Sequence, residues 1–260
     1  MPNSKLKIFY SCVFTILIFL AAGTASAQDI TSGLVGHWTF DEGSGTVAGD
    51  SSGLGNTGTL TNGPVWGVGK VGGALSFDGS NDYIDAGSNA ILDDMSVFSF
   101  SAWINPGTGA YGPQGTIVQK GHGDIQLTYE GWILAFYPNA PTQLTFRAVH
   151  QTNHLLIQAP PNVFTMNEWQ HVVVTWDGSP NASGVKIFRN GVEVSYSTQQ
   201  NGSGPKVSDV ARNFLIGINS YVNTPFKGSL DDVRIYNRAL SSTDIQALYA
   251  LGSGPPPSDT

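Results

Sequence analysis

The residues most able to do chemistry are acidic. Asp231 and Asp232 are adjacent in L-D-D-V-R, and Asp41, Asp50 and Asn56 stand in polar, Gly-rich stretches near the other end. All are hard oxygen donors at loop or strand-end positions. A calcium ion takes six to eight such oxygens, mixing carboxylates with the carbonyls that Gly-rich loops expose. The same residues have a plainer use. Asp41 and Asp50 can close turns by accepting backbone amides, and Asp231 can pair with Arg234 or Arg238. A second acidic group, Asp78, Asn81, Asp82 and Asp85, surrounds D-G-S-N-D and reads as an Asx-turn hairpin.

Other reactive types are sparse. His37, His122, His150, His154 and His171 have no helix to align any two of them, so zinc or copper chemistry is not indicated. His171, in W-Q-H-V, reads as a satisfied strand residue. Gly202-Ser203-Gly204 lacks the spacing of a nucleophile elbow. Adjacent carboxylates on a strand point to opposite faces, so Asp231 and Asp232 cannot act together on one glycosidic bond.

The elements that would position these groups are short strands. Leu34 to Phe40 opens the series, Gly72 to Phe77 and Tyr83 to Asp85 follow, and Val97 to Asn105 alternates with Phe98, Phe100, Ala102 and Ile104 on one face. Asp124 to Tyr129, Trp132 to Tyr137 and Gln143 to His150 read as a meander. Val172 to Trp176 is apolar throughout, as a strand covered on both faces would be. Asn190-Gly191 is the strongest hairpin signal. In Phe226 to Leu240, alternation puts Asp231, Val233 and Ile235 on one face and Leu230, Asp232, Arg234 and Tyr236 on the other. Ser241 to Asp244 is an S-x-x-D capping box before the helical spacing Ile245, Leu248, Tyr249. About a dozen strands without βαβ alternation predict an all-β, two-sheet antiparallel jelly-roll sandwich with a short C-terminal helix. Trp103, Trp169 and Trp176 are its candidate core aromatics.

Lys5 and Lys7, the apolar run from Ile8 to Ala22 and Ala25-Ser26-Ala27 form a signal peptide, expected to be cleaved after residue 27. The single cysteine, Cys12, leaves with it. Residues 28–251 then form one domain, and 252–260 a Pro/Gly/Ser-rich tail or a linker to further modules. Without Lys5 and Lys7 the balance is 10 basic against 19 acidic residues. That excludes the basic stripes nucleic acid needs and favours neutral partners or cation-holding clusters. No membrane span is expected in the exported chain.

Three motifs in order, D-G-S-N-D-Y-I at 78–84, E-W-Q-H-V-V-V-T-W-D-G at 168–178 and F-K-G-S-L-D-D-V-R-I-Y-N-R-A-L at 226–240, resemble the laminin-G-like (concanavalin A-like) jelly-roll modules of secreted bacterial proteins. The resemblance covers roughly residues 33–251. It implies a structural calcium between the N-terminal loops and the last strand, with Asp41, Asp50, Asn56 and Asp231 as its ligands here. Aromatics outside the family's core pattern include Tyr111, Tyr129, Trp132, Tyr137 and Tyr221. An exposed ring can stack on a sugar face, which makes Tyr111, His122, Trp132 and Tyr221 the expected ligand-binding set. Trp132 and Tyr129 have core positions in the sheet as the alternative. The family also includes glucanases and alginate lyases, but their E-x-D-x-x-E and R-S-E-L strands are absent. The expected function is a secreted, non-catalytic, calcium-stabilised module binding a polysaccharide or glycoconjugate. The alternatives are a polysaccharide-cleaving enzyme or a protein-binding adhesion module on the same sandwich.

Overall fold

A computed structural model describes residues 29–108, 115–122, 130–137, 140–210, 212–219 and 223–253. The expected signal segment lies outside them. In chain order the strands are β1 (Leu34–Trp38), β2 (Val47–Ala48), β3 (Gly58–Thr61), β4 (Val65–Val68), β5 (Gly73–Asp78), β6 (Tyr83–Asp85), β7 (Phe98–Pro106) and β8 (Gly115–His122). There follow β9 (Glu130–Tyr137), β10 (Ala140–Ala148), β11 (Leu155–Gln158), β12 (Gln170–Trp176), β13 (Val185–Arg189) and β14 (Val192–Glu193). The last are β15 (Thr198–Gln200), β16 (Phe214–Ile216) and β17 (Lys227–Tyr236), before the helix α1 (Ser242–Ser253).

Among the described residues these strands form two antiparallel sheets. Sheet A runs β14-β13-β12-β7-β17-β5-β4, with β1 also on β17, and sheet B runs β15-β11-β10-β9-β8-β16-β6-β3-β2. This is the expected jelly-roll sandwich. Period-2 alternation sends one side chain in two between the sheets. From sheet A come Phe98, Phe100, Ala102, Ile104, Val172, Val174 and Trp176, and from sheet B Trp132, Leu134, Phe136, Phe146 and Phe214. The rings interlock: Phe98 lies 4.5 Å from Trp132 and 5.6 Å from Trp176, and Trp38 stacks on Phe214 at 5.4 Å. Burial of each such ring contributes about 2–3 kcal/mol.

The outer face of sheet A is also covered. Val173 and Tyr236 pack against Leu240, Ile245 and Leu248 of the α1 region, which is why β12 has no exposed side. The capping box forms as expected: the Asp244 amide donates to Ser241 Oγ at 3.2 Å, and the Ser241 amide donates to Asp244 Oδ2 at 2.8 Å. The helix runs to Ser253, two residues into the stretch expected to be tail. Gly252 is buried there, and a Cβ on it would stand 2.4 Å from the Trp103 ring. Trp103 is therefore a core ring of the helix–sheet layer, whereas Trp176 lies between the sheets. The Asn190-Gly191 hairpin joins β13 to β14 with positive φ at both residues, 50° and 78°.

The strand β17 departs from simple alternation. It pairs with β7 along both halves, but its other neighbour changes from β5 at Lys227–Leu230 to β1 at Val233–Tyr236. At the change Asp232 takes φ 49°, and the register shifts between Asp231 and Arg234. This bulge inserts one residue and reverses the faces after it. Leu230, Val233 and Ile235 all point into the core, while Tyr236 packs on the outer face. That corrects the expectation that Leu230 and Val233 lie on opposite faces.

Candidate functional site

The bulge places a polar layer on the outer face of sheet A. Asp232 Oδ1 lies 2.7 Å from His37 Nε2 and accepts Arg234 Nη2 at 2.9 Å. Burial opposes ionisation of Asp232, but the His37 hydrogen bond and the Arg234 charge hold its pKa below the usual carboxylate range. Beside it, Ser101 Oγ and His171 Nε2 are 2.9 Å apart, and the Trp103, His171 and Tyr249 rings form a triangle, with Trp103 5.2 Å from His171 and 5.7 Å from Tyr249. Burial lowers the His171 pKa to about 3, so this ring is neutral at ordinary pH. Ser101 and His171 are paired as a nucleophile and base would be, but Asp232 bonds His37 and Arg234 instead of His171, whose Nδ1 has no partner, and all three residues are under 7 % exposed. No substrate atom reaches them, and the layer serves to seat α1.

The four residues expected to hold calcium are spent on two separate turns. Asp50 Oδ1 accepts the amides of His37 and Ser52, and Oδ2 accepts Ser52 Oγ and the Asn56 amide, all at 2.8–2.9 Å. Burial works against it, but these donors keep the Asp50 pKa low. Asn56 donates Nδ2 to Val35 O at 2.6 Å, and its backbone carbonyl accepts Trp38 Nε1 at 2.8 Å. Asp41 and Asp231 instead grip the turn between β4 and β5. Asp41 Oδ1 accepts the Gly73 amide at 2.6 Å, and Asp231 Oδ2 accepts the Lys70 and Val71 amides, each at 2.7 Å. The backbone amides point their positive ends at the Asp41, Asp50 and Asp231 carboxylates, while Asn56 Oδ1 and Asp231 Oδ1 have no hydrogen-bond partner and lie in different turns. Among the described residues no three His, Cys, Asp or Glu side chains are grouped to hold a metal ion. The set therefore does not fit one shared calcium site, although β1 and β17 do lie side by side as expected. Asp78 and Asp82 behave as a turn: Asp78 Oδ1 accepts the Ser80 amide, and Asp82 Oδ2 accepts the Asp78 amide.

Of the expected ligand-binding residues, Tyr111 and Tyr221 lie outside the described residues, as do Tyr129 and the segment 124–129 expected as a strand. His122 ends β8, but its side chain is outside the description. Trp132 is 1 % exposed, wedged against Phe98, Phe146 and Phe214. It is a core ring, which corrects its assignment to the ligand surface. The alternation of Trp132 with Leu134 and Phe136 was the sequence signal for this.

The accessible polar surface lies on the outer face of sheet B. One cross-strand row runs Val47, Thr59, Asp85, Leu215, Gln119, Ile133, Arg147, Leu156, Gln200, a residue from every strand. Its middle is buried, with Gln119, Ile133 and Leu215 below 7 % exposure. At the β3/β6 end it opens into a cleft of about 420 Å³, lined by Thr57, Thr59, Thr61, Asp85, Ala86, Gly87 and Asn213. Leu60 and Ile84 point inward, so alternation turns Thr59, Thr61, Tyr83 and Asp85 outward. Tyr83 is the direct partner of Thr61 and half-buried, offering a ring beside the cleft. Asp85 is held from both sides: Oδ1 accepts the Gly87 amide at 2.8 Å, and Oδ2 accepts Asn213 Nδ2 at 2.9 Å.

Asn213 is itself set in place by a buried ion cluster. Lys120, 0 % exposed, reaches from β8 to Asp93 Oδ1 at 2.7 Å and donates to Arg212 O at 2.6 Å and Asp209 O at 3.2 Å. It so ties the loop before β16 to the one before β7. Asp94 adds a clasp by accepting the Asp209 amide at 3.0 Å. The exposed cleft side chains can supply what a polyhydroxylated ligand needs: a fixed carboxylate acceptor, three hydroxyls that donate or accept, an amide, and an adjacent ring face. Sequence reasoning missed them because Asn213 and Thr59 meet Asp85 only through strand pairing.

A family model described as the concanavalin A-like lectin/glucanases superfamily (Laminin_G_3) matches residues 78–246. The chain is 24% identical over 164 residues to Adhesion G-protein coupled receptor V1 of Danio rerio, a stretch that is 60% of this chain and 2% of that protein. The binding domain of Paraclostridial Mosquitocidal Protein 1 superposes with a TM-score of 0.65 at 17% identity, over 85% of this chain and 52% of that one. Domain 4 of AbnA, an extracellular arabinanase from Geobacillus stearothermophilus, in complex with arabinotriose, gives 0.56 at 22% identity, over 84% of this chain and 99% of that one. The ligand-binding domain of Botulinum neurotoxin serotype D, in complex with N-acetylneuraminic acid, gives 0.60 at 16% identity, over 84% and 51%. At these identities the structures show a shared fold. No described helix is long and apolar enough to cross a membrane.

Proposed function

The chain belongs to the concanavalin A-like lectin/glucanases superfamily, and from that premise we propose that it is an exported, non-catalytic module that binds a polysaccharide or glycoconjugate. The glycan lies on the outer face of sheet B, in the cleft between Thr59, Thr61, Asp85 and Asn213, with the Tyr83 ring beside it. The observation that carries this is the cleft itself: a carboxylate fixed by two donors, flanked by hydroxyls projecting from one strand face. Support comes from the arabinanase domain, of the same fold and nearly the same extent, whose structure is in complex with arabinotriose. Among the described residues the lining includes one carboxylate, whereas glycoside hydrolysis employs two, so the arrangement suits holding a sugar over cutting it.

A glycan array probed with the purified chain tests this, alongside Asp85→Ala. Hydrogen bonds to a charged group contribute about 1.5–3 kcal/mol each, so the substitution should weaken binding about 10- to 100-fold, with a loss of melting temperature from the Gly87 and Asn213 bonds that still leaves the variant folded at the assay temperature. An array without signal, or full binding by Asp85→Ala, refutes the proposal. Release of new reducing ends from a bound polysaccharide would favour the enzyme instead.

A further inference from the structure

We infer that the cleft selects neutral saccharides and rejects anionic ones such as sialic or uronic acids. The inference deepens the glycan-binding proposal and rests on it. Its ground is the charge inventory of the site. Among the described residues, Asp85 is the ionisable group in the lining, and no lysine, arginine or histidine joins it there.

Nearby cations are committed elsewhere. Arg212, next to Asn213, is paired with Glu130, and Lys120 is enclosed between Asp93 and backbone carbonyls. Arg147 shares the cross-strand row, but four strand spacings separate it from Asp85, about 19 Å. Asp93, 3.4 Å from the Ser88 hydroxyl, balances Lys120, so that pair brings no net positive charge to the cleft.

A carboxylated sugar is normally gripped by a guanidinium or ammonium group. Here its charge would face a carboxylate that cannot turn away, because Gly87 and Asn213 hold both oxygens. A neutral sugar meets the opposite situation. Its hydroxyl protons point at the free lone pairs of Asp85, and its hydroxyl oxygens accept from the threonines.

The test is calorimetric titration of the whole chain with arabinotriose and a neutral hexose trisaccharide, against 3′-sialyllactose and trigalacturonate. The neutral ligands should bind at least tenfold more tightly. Asp85→Asn, which keeps the shape and removes the charge, should improve binding of the anionic sugars at least tenfold. In wild type, about 1 M salt should narrow the gap, since the Debye length there is about 3 Å. Equal or tighter binding of the anionic sugars, or no gain from Asp85→Asn, overturns the inference while leaving glycan binding standing. No heat with any sugar would overturn both.

Discussion

Replacing Asp231 by Asn should stabilise the protein at alkaline pH and leave it unchanged in acid. Asp231 is fully buried, and its Oδ1 has no hydrogen-bond partner. Burial raises its pKa to about 7, with repulsion from Asp232 and Asp41 adding to the effect and the Val71 and Lys70 amides opposing it. The usual carboxylate value is 3.8. A folded pKa above the unfolded one means the native state binds more protons between those values, so stability falls as pH rises from about 4 to about 7. The full difference corresponds to at most about 4 kcal/mol. Asn keeps the acceptor for Lys70 and Val71 and removes the charge. At pH 8 the variant should be about 2–4 kcal/mol more stable, or upwards of 4 °C in Tm for a domain of this size. Near pH 4 the two should coincide. Neutral His171 gives an opposite slope, losing stability as pH falls from 6.5 towards 3, but it is common to both proteins and cancels. Urea unfolding at pH 4, 5.5 and 8 measures the difference. Equal stability at all three, or a less stable variant at pH 8, would show that Asp231 is an ionised, stabilising group and refute the reasoning.

Trp132→Ala should lose about 3–5 kcal/mol, as for a large ring cut from a packed core; a folded, stable variant with weakened glycan binding would return Trp132 to the ligand surface. Calcium should shift Tm by less than 1 °C even at about 10 mM, well above the affinity of extracellular calcium modules, because backbone amides occupy both oxygens of Asp50 and Oδ2 of Asp231, in two separate turns. A chelator-reversible rise would restore the metal expectation. Lys120→Met should cost about 3–5 kcal/mol by removing the cation that pairs Asp93 and leaving buried Asp209 with Lys206 alone at 4.0 Å, and glycan affinity should fall in the fraction that remains folded. Unchanged affinity would separate the ion cluster from the cleft.

Much of the fold was legible because local rules decide it. Alternation in Phe98 to Ile104, the Asn190-Gly191 turn and the Ser241–Asp244 box each act over a few residues and appear as expected. The faces of β17 were not legible, since a bulge depends on the strand changing partner from β5 to β1. Trp132 was assigned to the ligand surface because it lies outside the family's core pattern of aromatics, and its own period-2 pattern with Leu134 and Phe136 supported the core alternative that the structure shows. The cleft was the least legible part. Thr59, Asp85 and Asn213 are far apart in sequence, and sheet pairing alone makes them neighbours.

The central claim is that a glycan sits on the outer face of sheet B at its β3/β6 end. Amide chemical-shift mapping with the oligosaccharide that scores highest on the array tests it most directly. The account predicts saturable shifts concentrated at Thr57, Thr59, Thr61, Tyr83, Asp85, Gly87 and Asn213. Shifts confined to the far end of the sheet, around Leu156 and Gln200, or to the α1 face of sheet A, would contradict it.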